Sequence, residues 1–148
     1  MEYRIRSSAE MSIKENSPAP RLTEERLELI TGIYGRVMSV VMLVLGLQQW
    51  ALIVGMLEGP FGSFDAMPPP WKLATMHFAV IDLVAAVGLW QRMAWGYVVW
   101  VYAALVQILL HTVFVDTFGQ NLVIVGFHAV TVAVYLALFI LEKRMEHH

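Results

Sequence analysis

The residues able to do chemistry in this 148-residue chain are few, and five of them stand inside apolar sequence: His77, Asp82, Gln107, His111 and His128. A polar side chain in hydrocarbon is costly and normally faces protein or water, so each marks a position where function can reside. Histidines on three helices could supply imidazole nitrogens to zinc, copper or iron, and two on facing helices could clamp a haem iron. The same His and Gln side chains could line a pocket for a quinone or a lipid headgroup. They could also simply cross-link helices, at about 0.6 kcal/mol per hydrogen bond. No single helix offers a histidine pair at ligand spacing, so the metal stays unknown and a chain without any cofactor is the plainest reading. Asp82 has two readings. It is a protonated or tyrosine-bonded carboxyl that locks helix packing, with Tyr102 and Tyr135 as partners, or it is a proton-titrating group.

The remaining composition narrows the field. There is no cysteine, which removes disulfides, thiolate metal sites and cysteine catalysis. A net charge of −2 gives no reason to expect a nucleic-acid partner. No catalytic constellation is legible, and no catalytic residue is assigned.

These polar groups must be held by membrane-spanning helices. The chain is 58% hydrophobic and only 15% charged, where a soluble domain carries about 25% charged residues. The patterning predicts an all-α fold: an integral membrane four-helix bundle with spans at about 37–57, 71–90, 94–115 and 121–141. Residues 1–22 read as a flexible cytoplasmic arm and 23–148 as the transmembrane domain. The first 20 residues hold no long apolar run, so the first hydrophobic segment is expected to act as an uncleaved anchor.

Thr23 is the expected N-cap of the first helix, with Glu24 and Glu25 in its first turn. Gly32 and Gly35 are candidate bends. Residues 58–70 form a loop, since Pro68, Pro69 and Pro70 cannot all be helix interior, and the second helix starts at Pro69 or Pro70. Gln91-Arg92-Met93 is a short turn, so the second and third helices form a hairpin. His147 and His148 are left out of site reasoning because they could be the remnant of a tag.

Orientation follows from the basic residues. Arg21, Arg26, Arg36, Arg92, Lys143 and Arg144 fall on one side, against a single Lys72 on the other. Both termini are therefore expected in the cytoplasm. Cysteine introduced at Ser63 should react with an impermeant thiol reagent in intact spheroplasts and cysteine at Gln91 should not; the reverse labelling would overturn the orientation.

Counting from Trp90, Ala94 and Leu141, taken as level, puts His77, Gln107 and His128 in one layer about 20 Å from the cytoplasmic boundary. His111 is one turn further out on the face of Gln107. Gln48, Gln49 and Trp50 come within about a turn of the same layer. Gly55 and Gly59 have GxxxG spacing at the outer end of the first helix.

The hairpin Gly88-Leu89-Trp90-Gln91-Arg92-Met93-Ala94-Trp95-Gly96 resembles that of small four-helix bacterial membrane proteins, among them DoxX-like proteins and uncharacterised alphaproteobacterial inner-membrane families. The resemblance implies a multi-pass protein of the cell inner membrane and a link to quinol oxidation or membrane redox complexes. It transfers no catalytic residue.

The leading functional expectation is a small integral membrane accessory or assembly subunit of a larger membrane complex, without catalytic activity of its own. Its surroundings would be the lipid bilayer and a membrane protein partner or further copies of itself. The alternative is a redox-linked membrane protein that binds quinone, haem or a metal through His77, Gln107, His111 and His128.

Overall fold

The computed structural model describes residues 4–6 and 18–147. Residues 4–6 form one exposed helical turn, and the rest of the expected arm before residue 18, with His148, lies outside the described residues. Four long helices follow: α1 (Pro18–Ile53), α2 (Pro69–Trp90), α3 (Ala94–Thr112) and α4 (Leu122–Glu146). All four are long and apolar enough to cross a bilayer, α1 through its stretch Thr23–Ile53. The only strand-like pairing among the described residues is an isolated bridge between Gly59 and Gly62. The architecture is that of an all-α, multi-pass membrane protein.

Helix ends differ from the sequence reading for identifiable reasons. α1 starts at Pro18, so Thr23 is inside the helix rather than its cap. Pro18 and Pro20 occupy the first turn, where the backbone N–H groups have no intrahelical partner and proline costs little. α1 stops at Ile53, not Leu57. Gly55 adopts φ 79°, and the N–H groups of Met56 and Leu57 both return to the Ala51 carbonyl at 2.8 and 3.1 Å. That is a left-handed glycine C-cap. Gly55 and Gly59 therefore close a helix and shape a loop; a side chain at Gly55 would meet nothing within 4 Å, so the pair is no helix-packing motif.

α2 begins at Pro69, with proline in its first two positions. α3 ends at Thr112, and the chain makes a helical turn (Val115–Phe118) before Gly119, at φ 75°. Asn121 caps α4 through its side chain, which accepts from Val123 and Ile124 N–H at 3.2 Å. α4 continues past Leu141 to Glu146, where Lys143 and Glu146 form an exposed pair at 2.9 Å.

α1 packs mainly on α2, α2 on α3 and α3 on α4, while α4 closes back on α1 along a narrow seam. One end of the bundle carries the α2–α3 turn and the terminal parts of α1 and α4; it is called the terminal end below, and the opposite end the loop end. Backbone approach is closest in the hairpin, where Gly88 of α2 lies against Gly96 of α3. Gly46 of α1 admits Leu83, whose Cδ2 would stand 2.7 Å from a Cβ there. Two hydrogen bonds pin α1 to α2: Ser39 Oγ donates to the Ala86 carbonyl at 2.6 Å, and Trp50 Nε1 to that of Ala79 at 3.0 Å. α1 is unbroken at Gly32 and Gly35. Those glycines make room instead for the Arg92 guanidinium and the Tyr97 hydroxyl.

The core centres on Trp100, fully buried among Met38, Met42, Ala85, Ala86, Leu89 and Ala103. Tyr34 and Tyr135 meet it edge-on at 6.2 and 5.5 Å. α4 is held by less. The Tyr34 hydroxyl donates to the Thr131 carbonyl, Tyr135 stacks on Tyr97 at 4.8 Å, and His128 is the one α4 residue that is buried.

Candidate functional site

The structure divides the expected polar layer between two helix pairs. His111 and His128 belong to the α3–α4 seam. Both are buried, at 8% and 4% exposure. His111 Nδ1 lies 3.0 Å from the Gly119 carbonyl, which can only accept, so this nitrogen carries the proton and Nε2 presents a lone pair when the ring is neutral. His128 Nδ1 is buried with no hydrogen-bond partner. Gln107 is half-buried one turn from His111, on the face of α3 that also carries Trp100 and Ala104.

His77 goes elsewhere. Its Nε2 is 3.4 Å from the Tyr102 hydroxyl, across the α2–α3 pair, and the two rings meet edge-on at 5.8 Å. His77 also borders an outward-facing groove of about 560 Å³ between α2 and α3 at the loop end. Its walls are apolar: Leu73, Ala74, Phe78, Val106, Leu110 and Phe114. Trp71 caps that end, with Nε1 donating to the Thr117 carbonyl at 3.0 Å and its ring between those of Phe61 and Phe118. A three-histidine metal site is thus not assembled: among the described residues no three His, Asp or Glu side chains come together to hold an ion.

Asp82 is 3% exposed, on the α2 face that meets α1, between Ala79 and Ala86. Neither expected tyrosine hydrogen-bonds to it. The Tyr102 hydroxyl faces His77, and Tyr135 stacks on Tyr97. Arg36 is no partner either, since its guanidinium sits over the Trp90 ring at 5.6 Å, as an interfacial cation does.

Two features escaped the sequence reading. The first is the outer face of α4, where Gly126, Ala129, Ala133 and Ala137 align and all are exposed. Their spacing was readable as small-xxx-small, but which face it occupied was not. The second is a cavity at the terminal end, lined by Arg92, Glu28 and Glu142 among others. These residues are far apart in sequence, and only the bundle brings them together.

No curated protein and no solved structure matches the chain. The pattern of a family of unknown function (DUF6163) matches residues 29–146, and the chain belongs to that family. The matched region takes in the whole bundle apart from the first turns of α1. The matching family is not a DoxX-like one, so the resemblance to DoxX-like proteins has no support beyond the sequence motif.

Proposed function

We propose that this member of the family is an accessory or assembly subunit of a larger complex in the cell inner membrane, with no catalysis of its own and both termini in the cytoplasm. The observation that carries the reading is the state of α4. Only 6% of its most apolar stretch is buried, against 44% for α2 and 39% for α1. Lipid can cover such a face, but its composition favours a helix. Gly126, Ala129, Ala133 and Ala137 leave a shallow track along which another backbone can approach. In a bilayer, close packing of this kind drives helix association, because lipid tails are as apolar as leucine. The occupant is accordingly a transmembrane helix of the complex, supplied by a partner or by a second copy.

A second reading, a redox-linked protein that binds a quinone, is favoured by the α2–α3 groove. Its walls are apolar and it has one imidazole at its border, itself 3.4 Å from the Tyr102 hydroxyl, which suits a hydrophobic ligand with a polar head. The His111–His128 pair supports a two-histidine haem or metal version less directly. One purification separates these readings. Native mass spectrometry after gentle solubilisation should show a stoichiometric partner or an oligomer, and a strictly monomeric, partner-free chain contradicts the accessory role. On the same sample the absorption spectrum, elemental analysis and lipid extraction should show no Soret band, no bound metal and no quinone. Any of these would transfer the conclusion to the redox reading.

A further inference from the structure

We propose that the cavity at the terminal end of the bundle binds the phosphoethanolamine headgroup of a phospholipid. The cavity holds about 340 Å³ and is lined by Glu28 and Thr31 of α1, Arg92 of the hairpin turn, Tyr97 of α3, and Tyr135, Phe139 and Glu142 of α4. Three helices and a turn therefore contribute to one polar site at the boundary of an otherwise apolar bundle.

Arg92 is the first sign of a built site. It has φ 57°, the left-handed conformation that glycine adopts at little cost and other residues do not. The turn forces this geometry, with Arg92 N–H bonded to the Leu89 carbonyl and Met93 N–H to that of Gly88, both at 3.0 Å. An arginine held in a glycine position gives up stability for its side chain. That side chain is also accommodated across the bundle: a Cβ on buried Gly32 would stand 3.0 Å from the guanidinium carbon. Yet among the described residues Arg92 forms no ion pair, although Glu28 and Glu142 line the same cavity.

The hydroxyls give the second sign. Thr31 Oγ1 is buried and has no hydrogen-bond partner. Tyr97 and Tyr135 are stacked with their planes 9° apart, and Tyr97 lies within the electrostatic reach of both Arg92 and Glu142. The site thus offers a cation, two carboxylates and hydroxyl groups, with no ion pair between the opposite charges among the described residues.

A ligand that satisfies this set carries an anion and a cation a few ångströms apart. Phosphate suits the guanidinium, which binds it through a planar fork of N–H donors. A primary ammonium suits the carboxylates, because it can donate three hydrogen bonds. A trimethylated ammonium can donate none, and a glycerol headgroup brings no ammonium to the two carboxylates. At the level of a membrane headgroup, phosphoethanolamine meets every requirement.

The test uses the full-length chain, delipidated in detergent, with native mass spectrometry and thermal unfolding in the presence of dioleoyl phosphatidylethanolamine, phosphatidylcholine or phosphatidylglycerol. The ethanolamine lipid should bind one per chain, on the order of tenfold tighter than the other two, as expected for one or two charge-assisted hydrogen bonds. Arg92→Gly should unfold no earlier than the wild type without lipid, since glycine relieves the backbone strain, and should lose about tenfold in affinity for this lipid. Glu142→Gln should narrow the preference over phosphatidylglycerol. Equal binding of the three lipids, or undiminished binding by Arg92→Gly, overturns the proposal. Soluble phosphoethanolamine that binds as tightly as the lipid would assign the site to a small solute instead.

Discussion

Valine at Gly96 should remove the folded protein from detergent extracts. A Cβ at this position would overlap the Gly88 backbone and stand 2.6 Å from the Leu89 nitrogen. The obstacle is backbone on the facing helix, which cannot turn aside as a side chain can. Gly88 has the reciprocal restriction, with Gly96 Cα and the Trp95 ring in the way. Overpacking ordinarily costs about 1–3 kcal/mol and more where nothing can move. Here the hairpin must open, which also disturbs Leu89 and Trp100 at the core. Gly96→Ala already introduces this Cβ, so it and Gly96→Val should each cost more than about 3 kcal/mol, with valine the worse, read as lost monodisperse yield and a lower unfolding temperature. A Gly96→Val protein with wild-type thermal stability would show that the hairpin is not packed this way.

Trp100→Ala should be the most damaging side-chain truncation. Trp100 is 0% exposed and is among the largest fully buried side chains, with Tyr34 and Tyr135 packed edge-on against it. Truncating a buried tryptophan costs about 3–5 kcal/mol in soluble cores. In a bilayer or micelle the exposed reference surface is already in apolar surroundings, so the packing and cavity part dominates, at about 2–4 kcal/mol. Trp100→Phe isolates that part. The Trp100 Nε1 has no hydrogen-bond partner, so phenylalanine sacrifices volume and no bond. It should recover more than half of the loss in a detergent melt. A phenylalanine variant as unstable as the alanine one would point to a hidden partner for the indole nitrogen.

The four helices were legible because nothing else in the chain can bury such apolar runs, and the hairpin because Gln91-Arg92-Met93 is too short for any other connection. Helix ends were less legible where two principles compete. Thr23 is a good cap, but Pro18 and Pro20 make an equally good first turn, and α1 uses the earlier start. Counting residues did not give the azimuths. His77 and Gln107 were placed level, yet His77 meets Tyr102, five residues nearer the terminal end than Gln107, while His111 and His128 are buried where α3 packs on α4. Rotation of a helix about its axis is set by packing, here by the Gly88–Gly96 contact and the Trp50 and Ser39 hydrogen bonds. The Arg92 site was invisible for a different reason: a lone arginine in a turn reads as a topology signal, and its carboxylate neighbours lie at opposite ends of the chain.

The accessory role depends on the outer face of α4, and one comparison addresses it directly. Ala133 is exposed at the middle of the small-residue track, so tryptophan there fills the track without touching the core. Wild-type chain and Ala133→Trp should be solubilised gently from the same membranes and weighed by native mass spectrometry, with thermal unfolding measured in parallel. The wild type should retain a stoichiometric partner or a second copy, and Ala133→Trp should lose it while unfolding at the wild-type temperature. A wild type that is monomeric and partner-free, or a variant that keeps its partner, would contradict the account.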